Sequence, residues 1–108
     1  MEKSFLIKEE DIKQLIELKG SCIASDKITI EGQKVGYMYR ENPSNETDSG
    51  WRFFAGNEDE GYTSNANNFE IYSLNTICNY DQEIIPYLNN AIGSKLVKTE
   101  DGKYKFDE

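Results

Sequence analysis

The apolar positions of this chain switch between two spacings, and the switches mark its elements. Over residues 9–19, Ile12, Leu15 and Ile16 recur three and four apart behind three acids, and Lys19-Gly20 follows as a stop signal. That is the pattern of an amphipathic N-terminal helix with an acidic first turn. Residues 21–25 then read as a short strand. Residues 28–30 are expected to pair with residues 35–40 across the polar, glycine-containing connection Glu31-Gly32-Gln33-Lys34, giving a β-hairpin. In the second arm Val35, Tyr37 and Tyr39 alternate with Gly36, Met38 and Arg40, so one face is aromatic and the other mixed.

Residues 41–50 carry turn chemistry without apolar periodicity, and residues 51–55 resume as a strand. There Trp51, Phe53 and Ala55 share one face, while Arg52 and Phe54 share the other. Residues 56–68 are polar and read as irregular. Ile71, Leu74 and Cys78 fall three and four apart and predict a short helix. Asp81 stands as an N-cap for a second brief turn through Ile84, Ile85 and Leu88, kept short by Pro86. Residues 94–97 and 103–106, joined across Glu100-Asp101-Gly102, form a second expected hairpin. Helices and strands mix without strict alternation, which predicts an α+β fold of antiparallel hairpins and short helices. The organisation expected is a single small domain: a leading helix at residues 1–20, a core at 21–98 and a hairpin tail at 99–108.

Charge narrows the function. The 108 residues suit one domain, and 12 Lys and Arg against 20 Asp and Glu give a net charge of −8. Long-range steering then favours basic partners and opposes nucleic acid or an anionic membrane, although the same charge also serves plain solubility. There is no His, and Cys22 and Cys78 are too far apart in sequence for a Cys-x-x-Cys motif, so a zinc site cannot be assembled and both cysteines read as small buried apolar residues. The start Met1-Glu2-Lys3 has no apolar leader, which predicts a cytoplasmic protein with reduced thiols.

The segment from Asp48 to Glu60 concentrates the candidate chemistry, fusing an aromatic strand to the acidic run Glu58-Asp59-Glu60. Those acids with Asp48 offer oxygen ligands, but their spacing does not fit an EF-hand. No Gly-x-Ser-x-Gly is present, and without His a serine lacks its usual base, so no enzymatic activity, cofactor or metal is expected. Arg52 has two readings. It either pairs with Asp48 or Glu60 and stacks on Phe54 or Tyr39, fixing the loop, or it joins Trp51 as an interface anchor. Trp51 itself, in phase with Phe53 and Ala55, reads first as core. Tyr62, Tyr72, Tyr80 and Tyr87 read as semi-buried packing residues, with an adaptable surface for a basic protein as the alternative.

Ser25-Asp26-Lys27-Ile28-Thr29, Val35-Gly36-Tyr37-Met38-Tyr39-Arg40-Glu41 and Asp48-Ser49-Gly50-Trp51-Arg52-Phe53-Phe54 occur in order. Gly56, Glu58-Asp59-Glu60, Leu74-Asn75-Thr76, Asn79-Tyr80-Asp81, Ile84-Ile85-Pro86-Tyr87-Leu88 and Ile92-Gly93-Ser94 follow them. This ordered set, from Cys22 to about Leu96, resembles the immunity-protein thirty-three-like family, and departs from its commoner pattern at Cys78 and Gly61. The resemblance implies an α+β protein of bacterial polymorphic-toxin systems that neutralises a cognate toxin by binding it, without catalysis. The partner expected is a basic toxin domain, met by Asp48, Trp51, Arg52, Glu58, Asp59, Glu60, Tyr80 and Asp81. The competing class is a stand-alone cytosolic ligand-binding or housekeeping domain.

Overall fold

The computed structural model describes residues 3–107. Six strands, β1 (Ser21–Ser25), β2 (Tyr37–Arg40), β3 (Asp48–Phe54), β4 (Phe69–Ser73), β5 (Lys95–Lys98) and β6 (Tyr104–Phe106), form one sheet in the order β4-β1-β3-β2-β5-β6. β1 runs parallel to β3, and the other neighbouring pairs are antiparallel. Three short helices, α1 (Asp26–Thr29), α2 (Glu60–Thr63) and α3 (Leu74–Tyr80), complete the expected α+β class.

The core fills one side of the sheet. Cys22, Ala24, Met38, Trp51, Phe53 and Leu96 meet Ile28 of α1, Leu74, Ile77 and Cys78 of α3, and Ile84 and Leu88 of the turn that follows. Each such large side chain contributes about 1.5–3 kcal/mol by leaving water. Trp51 is a core residue with no exposed surface, stacked on Phe53, and its indole N–H donates to the Leu88 carbonyl at 3.1 Å. Both cysteines are buried and free.

Several local expectations give way to longer-range contacts. The helix expected over residues 9–19 is absent apart from a single 3-10 turn at Glu9–Asp11. Side chains of α3 take the backbone groups that a helix needs: Asn79 accepts from Lys13 N–H, Asn75 accepts from the N–H groups of Leu15 and Ile16, and both amides donate to the Lys13 carbonyl. An isolated helix of this length is marginal in water, so an extended strap with satisfied backbone prevails. Leu15 and Ile16 still pack on the core.

The hairpin expected between residues 28–30 and 35–40 does not form. Ser25 accepts from Lys27 N–H and opens α1 instead, burying Ile28 and Thr29, while β2 pairs with β3 and β5. Ile71 lies on β4, 71 % exposed, and the helix begins at Leu74 behind the N-cap Ser73. Residues 56–68 are not wholly irregular: Asp59 caps α2, and Asn65 caps a 3-10 turn at Ala66–Asn68. Asp81 caps the 3-10 turn Gln82–Tyr87 as expected, and β5 and β6 form the expected terminal hairpin.

Candidate functional site

Strands that bury Trp51 and Phe53 on one face present their alternate side chains on the other. On β3 these are Arg52 and Phe54, with Tyr39 and Tyr37 opposite them on β2. Val97 pairs with Tyr37 on one side, and toward the β4 edge Ile23 pairs with Ile71. Ile23, Tyr37, Tyr39, Phe54, Phe69 and Val97 are partly buried, and Tyr37, Tyr39, Phe54 and Phe69 line hollows open to solvent on this side of the sheet. Among the described residues α2 is the helix that borders this face, through Tyr62 against Phe69 and Thr63 at the rim.

The rings form a connected set. Tyr39 stacks on Phe54 at 5.8 Å and 14°, Tyr37 lies 6.0 Å from Tyr39 and 6.1 Å from Phe54, and Phe69 meets Phe54 edge-on at 5.7 Å. Burial raises the Tyr37 hydroxyl above its usual range, and burial with the Glu41 carboxylate raises that of Tyr39. Both phenols are therefore neutral at physiological pH and present apolar area with a hydrogen-bonding tip.

Arg52 forms the floor beneath the patch. Its guanidinium grips Asp48 bidentately at 2.9 and 2.8 Å, and its Nε donates to Glu41 at 2.6 Å. The side chains of Arg52 and Asp48 are 6 % and 5 % exposed, whereas Glu41 is 50 % exposed. The Arg52 hydrogen bonds, helped by N–H donors from Ser44 and Gly50, hold the Asp48 carboxyl well below the usual carboxylate range. A saturated fork of this kind offsets the desolvation of the cation. Gly50 makes the arrangement possible: its φ is +90°, and a Cβ there would lie 2.2 Å from the Glu41 carbonyl oxygen.

Of the two acids expected for Arg52, Asp48 is its partner and Glu60 is not, Glu41 joins as a second partner, and among the described residues no cation–π contact joins Arg52 to Phe54 or Tyr39. Glu58 folds back to accept from the N–H groups of Ala55 and Gly56 at 2.8 and 2.9 Å. Burial opposes its charged form, yet these donors together with the Ser25 side chain leave its carboxyl below the usual range. Asp59 caps α2, and Glu60 is exposed. Tyr80 and Asp81 lie apart from this segment, in the helical layer. The Tyr80 hydroxyl bonds the Ile7 backbone, and Asp81, 2 % exposed, accepts from Val35 and Glu83 N–H. Trp51 is enclosed. Sequence reasoning missed Tyr37, Tyr39, Phe54, Phe69 and Glu41. The available signal was that β3 is aromatic on both faces, more apolar surface than such short helices can cover.

Among the described residues, no three His, Cys, Asp or Glu side chains converge as a metal site would require, and no helix is long and apolar enough to cross a membrane. The sequence model described as Immunity protein Imm33 domain matches residues 22–107. That span is most of the chain, and the chain belongs to this immunity-protein family. Neither the curated proteins nor the solved structures contain a match.

Proposed function

We propose that this member of the Imm33 immunity-protein family neutralises a bacterial toxin by direct, non-catalytic binding in the cytoplasm, and that the uncovered aromatic face of the sheet is the docking surface. The carrying observation is the ring set Tyr37, Tyr39, Phe54 and Phe69, partly buried side chains that line open hollows on the side of the sheet away from the helical layer. Contiguous apolar surface rimmed by polar groups marks interaction sites, and Tyr and Phe are enriched in them. The family match supports the immunity role. A net charge of −8 supports a basic toxin domain over nucleic acid or an anionic membrane.

Co-expression with the cognate toxin, identified by affinity capture on the wild-type chain, tests the reading. Wild-type chain should restore growth, and Tyr39→Ala should lose protection while remaining folded, with a lowered unfolding midpoint from the lost ring packing. Protection fully retained by a folded double variant, Tyr39→Ala with Phe54→Ala, would move the interface elsewhere. Failure of the wild-type chain to protect would overturn the immunity reading.

A further inference from the structure

The aromatic face contains a hollow with a definite chemical character. Tyr37, Tyr39 and Phe54, with Gly56, Glu58 and Thr63, enclose about 280 Å³. That is room for one long side chain, below the roughly 300–1,000 Å³ of sites for drug-sized ligands. Three rings stand within 6.1 Å of one another and line this one space. The carboxylate of Glu58 is fixed at the rim by the backbone N–H groups of Ala55 and Gly56 and by the Ser25 side chain. Each of its oxygens retains acceptor capacity, and a glutamate carboxylate is ionised at neutral pH.

The chain does not fill this space with a cation of its own. Its cation–π contacts place Lys27 over Tyr62, Arg40 over Trp51 and Lys98 over Tyr104, and among the described residues none engages Tyr37, Tyr39 or Phe54. Lys95 is paired across the strands with Tyr39 and lines, with Glu41 and Ile92, a neighbouring hollow that shares Tyr39, but it does not line the hollow formed with Tyr37, Phe54 and Glu58. Arg52 is committed to Asp48 and Glu41.

We propose that the hollow is a cation acceptor and takes an arginine side chain of the toxin, its guanidinium stacked on the rings and paired with Glu58. Aromatic faces attract cations, and arginine is preferred because its planar group is weakly hydrated and stacks well. The identity of the ligand rests on the docking reading above, whereas the cation site itself is measurable on the isolated chain. The experiment is an NMR titration of the full-length protein with N-acetyl-arginine methylamide, using N-acetyl-norleucine methylamide as the uncharged control. Saturable shifts at the amides of Tyr39, Phe54, Gly56 and Glu58 are expected for the arginine probe at millimolar concentration, and none for the control.

Glu58→Gln and, independently, Tyr39→Leu should each weaken binding about 3- to 10-fold, the size of a partly exposed cation–π or ion-pair contribution. Absence of saturable shifts, or equal shifts with the control, overturns the cation site. If the probe fails while Tyr39→Ala still loses protection, this inference falls and the docking reading stands. If the probe binds while the folded Tyr39→Ala and Tyr39→Ala with Phe54→Ala variants protect fully, the assignment of the ligand to the toxin falls.

Discussion

Arg52 carries the largest single electrostatic commitment on the sheet, and its neighbours dictate how it responds to change. Removing it leaves Asp48 buried with its charge unmatched, so Arg52→Ala should destabilise by about 3–5 kcal/mol. Arg52→Lys should recover only part of this, because an ammonium cannot serve Asp48 bidentately and Glu41 together. Chemical denaturation of the three proteins measures both. Glu41→Gln should cost no more than about 1 kcal/mol, since Glu41 faces solvent. The Asp48 carboxyl is depressed in the folded state. Its contribution is therefore complete above the unfolded value near pH 4 and is lost as pH falls toward the folded one. Unfolding midpoints measured between pH 6 and about pH 2 should show this acid slope in wild type and a shallower one in Asp48→Asn. Burial pushes the Cys78 thiol up to about 11 and Cys22 higher still. Neither should react with a thiol reagent at pH 8 until the chain unfolds, because the thiolate is the reactive form.

At the scale of elements, two asparagines of one helix decide the conformation of a segment 60 positions away in sequence. With Asn75→Ala and Asn79→Ala together, the backbone groups of Lys13, Leu15 and Ile16 lose their partners. Trypsin should then cut after Lys13 several-fold faster, with the core transition retained, because local opening governs cleavage of such a strap. Unchanged cleavage would show that Leu15 and Ile16 hold the strap by packing alone. The β2–β3 hairpin depends in the same direct way on Gly50. Gly50→Ala adds a Cβ against the Glu41 carbonyl at a positive φ, and a loss of about 1–3 kcal/mol is expected in the unfolding midpoint.

Across the whole molecule, helices cover one face of the sheet and leave aromatic residues on the other beside an acidic rim. If a basic toxin docks there, the rim and the rings should act on different rate constants. Neutralising Glu58, Asp59 and Glu60 to Gln, Asn and Gln should slow association and flatten its salt dependence, whereas Phe54→Ala should mainly speed dissociation. Surface binding kinetics at two salt concentrations separate the two effects. An association rate unchanged in the triple variant at low salt would remove the acidic run from the encounter.

Much of the fold was legible because its causes are local. The two-residue alternation put Trp51 and Phe53 on one face of β3 and Arg52 and Phe54 on the other, Asp81 announced its cap, and the terminal hairpin followed from its turn residues. The charge of −8 and the Arg52–Asp48 pair, four residues apart, were equally readable. What alternation leaves open is which face of a strand finds a cover. The helical layer settled that, placing Trp51 and Asp81 in the interior and leaving Tyr37, Tyr39 and Phe54 partly buried on the opposite face. Strand partners, the strap over α3 and the choice of Glu41 as the second partner of Arg52 depended on groups distant in sequence. A helical period at residues 12–16 was outweighed by hydrogen bonds from Asn75 and Asn79, which only the folded chain brings within reach.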